Sequence, residues 1–572
     1  MRENFRPGQV AAGFSLAVLL ALSSATAAIH DFVTDPSLVR GVDLGIILEN
    51  VRDDYIQEGA DLDTLFSAGM NSMLSLLDPY STFEGKSGTE DVAVRTTGRY
   101  GGVGLTIGKA KDDDDAVLVL GALEGYAFDA GVRPGDRILA IDGRPLKNIP
   151  TVDETKDLLR GEPGTAVRLT LQRDGDPRTD AARGTAAGGS AKGGGTMDVT
   201  VARKLVRLPD VALTSLFDGG VGYIKLEGFS SGTAQEVQNS ITRLQGGMGP
   251  RPGGPRLKAL VLDLRDNPGG LLEAAVAVSQ QLVPQGTEIV STSGRAYGDG
   301  NALTYKSSKP PLLDPATRLV VLVNRNTASA AEVVTGVVQD TDRGVVTGER
   351  TFGKGLVQTV QLLPGGGSLK LTVAKYYTPS GRCIQAVAYG GKGAAGGAGA
   401  DSSDAEVEDE FGERFGGSGE EYKQERPRRV DEASQQTFVT ANGRAVKGGG
   451  GITPDERVAP RKLGELEKSL AQRGIFTEFA SDWLRKHAAA PEALAYEMAH
   501  NQDQAFREFE AFARAKMARA SDASATASIQ SPALKRQLDV LQKALALEGL
   551  GRSSRELQVL RQVLAEIIIS EI

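Results

Sequence analysis

The residues best able to do chemistry in this chain lie in two short segments, Thr327 to Glu332 and Gly353 to Gln358. In the first, Ser329 follows an apolar run that predicts a strand and precedes a run that predicts a helix. A serine at such a junction can project its hydroxyl from a tight turn, while the next amide, that of Ala330, points outward at the positive N-terminus of the helix. Ser329 is therefore a candidate nucleophile, provided that a base lies near it.

A base for this serine is hard to find among the histidines. The chain has only three, His30, His487 and His500, and the two that follow the serine lie in a polar tail. A lysine can serve instead if an apolar pocket lowers its pKa, which makes Lys354 the candidate base. Gln358 follows Lys354 by four residues, which places both on the same face of a helix or a strand, so its side chain can hold the lysine amine by a hydrogen bond without adding charge. Taken singly, a helix-capping serine and a surface lysine are the simpler interpretations.

A second serine pattern competes with this one. Gly228 to Gly232 matches the G-x-S-x-G elbow of Ser-His-Asp hydrolases. Helix capping explains it more simply, because Ser231 or Thr233 can cap the following helix and Thr233 with Glu236 forms a capping box. No histidine is placed to complete a triad.

Nucleotide, metal and redox chemistry are disfavoured. Gly348 to Lys354 resembles a phosphate loop, but Gly355 stands where a magnesium-binding Ser or Thr is needed. The tail histidines do not form an HExxH motif, and the single cysteine, Cys383, allows no internal disulfide, no CxxC pair and no cysteine-rich zinc site. We therefore expect no cofactor and no metal.

Composition sets the broad class. The chain has 572 residues, 40% of them apolar and 24% charged, which is enough for several globular domains. The formal net charge of −8 argues against a protein that binds nucleic acid by neutralising phosphates.

The N-terminus predicts export. Arg2 and Arg6 precede the apolar run from Val10 to Leu22, and Ala25 to Ala27 forms a small-x-small cleavage site. The run is short for a membrane span, so we expect a signal peptide, with an uncleaved anchor as the alternative. No later segment is apolar enough to predict a stable span once the signal is removed.

The elements that must position Ser329 and Lys354 change in character along the chain. Val39 to Phe83 has helical spacing, and short strands with glycine turns begin at Tyr100. From Val221 to Gln339 strands and helices alternate, which predicts βαβ crossovers and an α/β core. Beyond Arg461 the chain predicts helices that form a cap or packing arm.

Two polar tracts interrupt these elements. The Gly/Ala-rich tract at 175–196 breaks a strand and predicts a surface hairpin insertion. The acidic, Gly-rich tract at 390–428 predicts a solvated loop.

Five ordered motifs of the presumed core resemble those of the C-terminal processing peptidases, also called tail-specific proteases. They are Leu262 to Leu271, Thr327 to Glu332, Gly348 to Gln358, Tyr377 to Arg382 and Gly450 to Asp455. Tyr100 to Leu105 and Gly131 to Gly143 resemble the PDZ domain of that family, and Leu76 to Ser81 resembles the end of its N-terminal helical domain.

The resemblance implies a multidomain α/β architecture. Its parts are a signal peptide (1–27), an N-terminal helical domain (28–95), a β-rich α+β PDZ domain (96–205), a ClpP/crotonase-like α/β peptidase core (206–462) and a helical C-terminal extension (463–572). The two inserts and the long extension depart from the family pattern. They leave the chemistry intact and put substrate access and oligomeric state in question.

The resemblance also assigns roles. It makes Ser329 the nucleophile, Lys354 the general base and Gln358 its orienting partner, with an oxyanion hole formed by the Gly269 and Gly270 turn and the Ala330 amide. In the PDZ domain, the amides of Gly101, Gly102, Val103, Gly104 and Leu105 would cradle the terminal carboxylate of a peptide added as a strand.

The expected substrates are proteins with free, apolar C-termini. No nucleic acid is expected as a partner, and the C-terminal helices could mediate an oligomer or bind an adaptor. The expected location is extracytoplasmic: the periplasm, the cell exterior, or a thylakoid lumen in a photosynthetic source. Two alternatives remain, an inactive PDZ scaffold and a crotonase-like acyl-transfer enzyme, although no basic cluster for the coenzyme A phosphates is evident.

Overall fold

The computed structural model describes residues 35–109, 117–123, 125–146, 152–173, 195–217, 219–246, 257–295, 302–386 and 436–459, with a few helical residues between 470 and 515. The predicted signal peptide, most of both inserts and most of the C-terminal extension lie outside these residues. The described part divides into two compact units: residues 35–89 with 358–372, and the remainder.

The first unit begins with two helices, as predicted. α1 (Pro36–Asp54) starts after Asp35, whose carboxylate accepts the Ser37 amide at 2.8 Å. α2 (Leu62–Leu74) starts after Asp61, which accepts the Asp63 amide at 3.0 Å. The unit also contains a strand that the helical spacing did not predict, β1 (Thr82–Glu84), which pairs antiparallel with residues 368–370. α3 (Lys86–Thr97) follows.

The next segment forms a six-stranded antiparallel sheet with one helix, and a separate two-stranded sheet. Its elements are β2 (Arg99–Gly102), β3 (Leu105–Lys109), β4 (Val117–Ala122), β5 (Arg137–Ile141), β6 (Arg144–Pro145), α4 (Val152–Leu159), β7 (Ala166–Arg173), β8 (Gly195–Ala202) and β9 (Lys204–Arg207). The strand order of the six-stranded sheet is β3-β4-β5-β7-β8, with β6 beside β5, so β3 forms an edge of the sheet. The first and last strands of the segment, β2 and β9, pair with each other in the two-stranded sheet.

The first insert joins two paired strands. β7 and β8 pair in antiparallel register up to Arg173 and Gly195, as a hairpin insertion requires. The last two residues of the predicted insert, at 195 and 196, belong to β8, so the insert is slightly shorter than its composition indicated.

The remaining described elements form the α/β core predicted from the strand–helix alternation. They are β10 (Val211–Phe217), β11 (Val221–Leu226), α5 (Thr233–Gln245), β12 (Ala259–Asp263), α6 (Leu272–Ser279), β13 (Glu288–Ser293), β14 (Ala302–Lys306), β15 (Arg318–Val323), α7 (Ala330–Asp340), β16 (Val345–Gly348), β17 (Leu356–Leu362), β18 (Ser368–Tyr377), β19 (Thr437–Val439), β20 (Ala445–Lys447) and β21 (Glu456–Arg457). The main sheet has the order β10-β11-β12-β15-β16-β21.

The direction of these strands positions the candidate residues. β11, β12, β15 and β16 run parallel, so their C-terminal ends meet at one edge of the sheet. The segments that leave those ends contain the Gly269–Gly270 turn, Ser329 and Lys354. The order and direction of the strands therefore bring residues that are distant in sequence to the same edge of the sheet.

α7 anchors this edge. Every residue of the helix is buried, and Ser329 immediately precedes it. A helix that is enclosed on all sides cannot shift without disturbing the core, so the position of its N-terminus, next to Ser329, is fixed by packing.

A buried ion pair secures the other end of α7. Arg382, 1% exposed, donates to Asp340 at 2.6 Å and to the Gln339 side-chain oxygen at 2.7 Å. Burial lowers the pKa of the Arg382 guanidinium from its usual value, and the adjacent Asp340 opposes that shift. Asp340 also accepts from the Thr378 hydroxyl and from the Ser380 amide.

The described residues of the C-terminal extension are helical, as predicted. The Phe509 ring packs against the rings of Phe476 and Phe479, with centroid distances of 5.3 and 5.2 Å. Within the described part of the chain, none of the helices combines the length and apolar character needed to cross a bilayer.

We predict that Arg382→Met destabilises the fold by about 3–5 kcal/mol, because it leaves the Asp340 carboxylate buried and uncompensated. Urea denaturation measures the change in the free energy of unfolding. The double variant Arg382→Met/Asp340→Leu should recover part of the loss, since no unpaired charge remains. Arg325→Met, which removes an exposed pair with Glu349, should cost no more than about 1 kcal/mol. Equal stabilities for wild type and Arg382→Met would contradict the prediction.

Candidate active site

Ser329 occupies a strained turn between β15 and α7. Its backbone angles, φ 54° and ψ −117°, are rare for any residue other than glycine. The turn is fixed by its neighbours: the Ala328 amide donates to the Asn267 carbonyl oxygen at 2.9 Å, and the Thr327 hydroxyl donates to the Leu264 carbonyl oxygen at 2.8 Å. The predicted strand-to-helix junction is confirmed, and its geometry is of the kind that exposes a nucleophile.

Lys354 lies in a segment without regular structure between β16 and β17. The Phe352 amide donates to the Thr327 carbonyl oxygen at 3.0 Å, which attaches this segment directly to the serine turn. On the other side, the Gly353 carbonyl oxygen accepts the Ala386 amide at 2.9 Å. Both Lys354 and Ser329 are half-buried. The fold thus brings the two candidate segments together.

Glu332, fully buried in the first turn of α7, connects them. Its Oε2 accepts the amide of Ser329 and the amide of Lys354, each at 2.8 Å. Its Oε1 accepts the Thr351 hydroxyl at 2.6 Å and the Gly353 amide at 2.8 Å. The backbone nitrogens of the two candidate residues therefore lie within two hydrogen-bond lengths of each other.

Burial raises the pKa of the Glu332 carboxyl above its ordinary value, while the four donors oppose that shift by binding the charged form. The sequence assigned this residue no role. A signal was present: Glu332 is the one charged residue between Ala330 and Gln339 in an otherwise largely apolar helix.

The same contacts explain the pattern that resembles a phosphate loop. The Gly353 and Lys354 amides do face an anion, and that anion is the chain's own Glu332 carboxylate. At Gly353, φ is +88°, and a Cβ would come within 2.6 Å of the Ala386 Cβ. Packing therefore requires the glycine. Among the described residues, no cluster of His, Cys, Asp and Glu is suited to hold a metal ion.

The Gly269–Gly270 turn lies against the serine. A Cβ on Gly269 would be 2.8 Å from the Ala330 nitrogen and 2.8 Å from the Ser329 Cβ, which shows how closely the two backbones approach. The Gly269 amide donates to Asn267 Oδ1 at 2.9 Å. The amides of Gly270 and Ala330 donate to none of the described residues. These two amides are the ones available for an oxyanion, while the Gly269 amide shapes the turn.

Buried polar side chains hold this turn in place. Asn267, 0% exposed, donates through Nδ2 to the Leu226 carbonyl oxygen at 2.8 Å. Before it, Asp263 accepts the Tyr223 hydroxyl at 2.7 Å and Arg265 at 2.6 Å. Burial alone would raise the pKa of Asp263, but Arg265 and Lys225 hold it below its usual value. Sequence reasoning assigned Asn267 no role, although it lies inside a recognised motif.

Gln358 belongs to the first unit. Its Nε2 donates to the Tyr80 carbonyl oxygen at 2.7 Å and contacts the Thr372 hydroxyl at 3.5 Å. Asp78 fixes Tyr80 in turn by accepting its amide at 2.8 Å. The amide group of Gln358 is therefore held in one orientation, and its action on Lys354 remains a prediction.

The competing serine pattern is structural. Ser230 is buried, and its hydroxyl donates to Asp210 at 2.5 Å. The expected helix caps were wrong: Gly232 is the N-cap of α5 without a side-chain hydrogen bond, and the Glu236 carboxylate instead accepts the amides of Asp210 and Val211. Asp210, which is not part of the capping pattern, accepts hydrogen bonds from the hydroxyls of Ser230 and Thr233.

The predicted peptide-binding residues Gly101 to Leu105 lead from β2 into the edge strand β3. At Gly104, φ is +69°, and a Cβ would lie 2.8 Å from the Tyr126 Cβ. A Cβ on Gly101 would be 2.2 Å from the Gly161 carbonyl oxygen, and one on Gly102 would be 2.5 Å from the Tyr100 ring. The amides of Val103 and Gly104 donate to no described residue, and both residues are buried, so the loop holds two donors without a described acceptor.

Comparison with known families gives two matches within the chain. Residues 220–390 match the model of peptidase family S41, and residues 120–173 match a PDZ domain model. The first range contains Gly269, Gly270, Ser329, Lys354 and Gln358. The second contains α4, the strands β5, β6 and β7, and the end of β4.

Similar proteins carry matching descriptions. The chain is 32% identical over 379 residues to a carboxy-terminal-processing protease of Bartonella bacilliformis, covering 66% of this chain and 79% of that protein. It is 34% identical over 351 residues to a chloroplastic C-terminal processing peptidase of Tetradesmus obliquus, covering 58% and 68%. A solved photosystem II D1 C-terminal processing protease shares 32% identity over 57% of this chain and 80% of that one, with a TM-score of 0.30. The matches support a protease and neither alternative.

We predict that Glu332→Gln lowers kcat for peptide hydrolysis at least 100-fold, about 2.7 kcal/mol in the activation barrier. The substituted side chain offers one acceptor oxygen in place of two. Either the amides of Ser329 and Lys354 or the amide of Gly353 then faces an NH2 group, and in both orientations the segment that holds the two candidate residues is disturbed. Steady-state kinetics measures the loss, with circular dichroism to check folding. Glu349→Gln, a half-buried glutamate that pairs with Arg325 at 3.3 Å, is the control and should be nearly neutral. Full activity in Glu332→Gln would refute the role given to this carboxylate.

Proposed function

The chain belongs to peptidase family S41 as a carboxy-terminal processing serine protease with a PDZ domain, and we propose that Ser329 is its nucleophile and Lys354 its general base. The observation that carries this assignment is the carboxylate of Glu332, which binds the amides of both residues at 2.8 Å. A nucleophile and a base fixed to one rigid group keep a constant separation through the reaction.

The reaction follows from this pair. Lys354, as the neutral amine, takes the proton of the Ser329 hydroxyl while Oγ attacks the scissile carbonyl carbon. The tetrahedral intermediate collapses as the lysine ammonium returns that proton to the departing amine and the peptide C–N bond breaks. Water then attacks the resulting serine ester while the lysine accepts a proton from it. The second tetrahedral intermediate collapses as the lysine returns that proton to Ser329 Oγ, which regenerates the serine hydroxyl and the neutral amine and releases the product with its new C-terminal carboxyl group.

The oxyanion is stabilised by the amides of Gly270 and Ala330. Both are free of described partners, and Ala330 stands at the N-terminus of α7, where the helix dipole favours negative charge. Gly269 contributes by allowing the turn to approach Ser329. Gln358, held by the Tyr80 carbonyl oxygen, orients the lysine amine.

Substrates are recognised by their C-termini through the PDZ domain. An extended peptide can pair with the open edge of β3, beside α4, and place its carboxylate on the amides of Val103 and Gly104. Recognition and bond cleavage are then performed by different elements, which lets one site select chains and the other cut them.

The N-terminal run of apolar residues supports a proposal for the cellular location of the protein. We propose that residues 1–27 direct the chain out of the cytoplasm, which fits relatives from bacteria and from a chloroplast. We propose further that the C-terminal helices beyond residue 463 serve assembly with a second copy or an adaptor.

We predict that Ser329→Ala and Lys354→Ala each abolish cleavage of an unstructured protein with an apolar C-terminus, while leaving thermal unfolding and peptide binding unchanged. Ser230→Ala is the matched control, because it removes a serine hydroxyl outside the site. A substrate with an amidated C-terminus should be cleaved far more slowly by the wild type. Cleavage is followed by gel electrophoresis and mass spectrometry; undiminished activity in either variant, or loss in Ser230→Ala alone, would reject the assignment.

We predict that Gly104→Ala weakens binding of free-carboxylate peptides at least tenfold, because the positive φ and the contact with Tyr126 leave no room for a Cβ. Fluorescence anisotropy in the Ser329→Ala background measures binding without cleavage. Turnover of a short peptide ester, measured with Ser329 intact, should be unaffected. Gly135→Ala is the control: it has a φ of +90° in the same domain but open space around it. Equal losses in both variants would show general strain and not a carboxylate cradle.

A further inference from the structure

Tyr376 is a buried aromatic residue whose hydroxyl lies beside the active site. It stands near the end of β18, where it pairs in register with Thr292 of β13, and its side chain is 2% exposed. Its amide donates to the Gly355 carbonyl oxygen at 3.0 Å. Backbone pairing and ring packing therefore fix the residue without any help from the hydroxyl.

The hydroxyl meets the two residues that perform the reaction. It is 2.5 Å from the Lys354 carbonyl oxygen and 3.1 Å from the Ser329 carbonyl oxygen. Two carbonyl oxygens that approach a common point repel each other unless a donor lies between them. The single phenolic proton supplies that donor, with the shorter contact to Lys354.

These contacts complement those of Glu332. The glutamate binds the amides of Ser329 and Lys354 through one acceptor atom, and the tyrosine binds their carbonyl oxygens through one donor atom. Each of the two residues is therefore held at both of its flanking peptide groups. The Ser329 carbonyl oxygen also accepts the amides of Glu332 and Val333, at 2.8 and 3.0 Å, so what the tyrosine adds there is a direct link to the Lys354 carbonyl oxygen. Ser329 is also strained, so it needs such restraint more than an ordinary residue does.

We propose that Tyr376 is a positioning residue whose hydroxyl sets the separation of the Ser329 nucleophile and the Lys354 base by binding both backbone carbonyl oxygens. The inference rests on the proposed function and adds a residue to it. The hydroxyl binds the backbone of these two residues, so the role assigned to it is exerted through them.

A positioning role has a kinetic signature. Loss of the hydroxyl should make the separation between the Ser329 hydroxyl and the Lys354 amine more variable, and it should leave the peptide-binding surfaces intact. The loss should therefore fall on kcat and leave KM nearly constant. A purely structural role would lower the melting temperature and the amount of folded enzyme, and leave kcat per folded molecule unchanged.

The test is Tyr376→Phe, which removes one oxygen and keeps the ring, with Tyr377→Phe as the matched control on the neighbouring, half-buried residue. We expect kcat for a peptide ester to fall 10- to 100-fold in Tyr376→Phe, KM to stay within twofold, and Tyr377→Phe to match the wild type. Activity is expressed per folded molecule from circular dichroism. A kcat within twofold of wild type, or a loss confined to KM or to folded protein, would overturn the proposal.

A second measurement covers the case in which Tyr376→Phe does not fold. 4-Aminophenylalanine incorporated at position 376 keeps a hydrogen-bond donor at the para position, whereas 4-fluorophenylalanine keeps a similar size and has no donor. We expect kcat to stay near the wild-type value with the first and to fall 10- to 100-fold with the second, and equal kcat values for the two would overturn the proposal. Ser329→Ala measured in parallel separates the two hypotheses, because its full activity would reject the proposed function itself.

Discussion

The proposed catalytic edge of this protein, which contains the Ser329 turn and the Lys354 segment, depends on one buried carboxylate. Glu332 loses its hydration in the core, and burial of a charge is tolerated only where donors replace the lost water. Three of its four donors are backbone amides, those of Ser329, Gly353 and Lys354. The requirement to satisfy this one group therefore dictates the backbone course of two segments at once. Because the buried carboxylate needs these donors in place of water, the backbone of the proposed active site is held in the geometry that supplies them.

The rest of the core serves the same arrangement. Parallel strands bring the serine turn, the lysine segment and the Gly269–Gly270 turn to one edge, and the buried helix α7 prevents that edge from moving. Asn267 links the turns by accepting the Gly269 amide and the Ala328 amide through different oxygens. The strain at Ser329 is maintained because the surrounding contacts over-determine the turn. The contacts that stabilise the core are therefore the same ones that maintain the backbone geometry of Ser329, the proposed nucleophile.

The segment proposed to bind peptide C-termini has a different kind of structure. In the segment from Gly101 to Leu105, glycines allow close backbone approach, and the amides of Val103 and Gly104 have no acceptor among the described residues. The adjoining strand β3 lies at the edge of the described sheet, where the backbone of a peptide could pair with it. At the proposed catalytic edge, by contrast, most backbone groups are already bonded to Glu332, Asn267 or Tyr376. The two needs would conflict in one element, which gives a physical reason for separate domains in a protease that selects chains by their ends.

The sequence by itself determined the α/β alternation, the strand-to-helix position of Ser329, the family and the two candidate segments, because hydrophobic periodicity and glycine motifs are local properties. It also disfavoured the Gly228 to Gly232 elbow on the expectation of helix capping, and that expectation was wrong, because Asp210 accepts hydrogen bonds from Ser230 and Thr233. Only the tertiary structure decided that the phosphate-like loop encloses Glu332, that the Gly269 amide is occupied while those of Gly270 and Ala330 are available, and that Tyr376 joins two carbonyl groups. Each of these is a contact between residues far apart in the chain, and no local pattern encodes which buried donor will meet which acceptor.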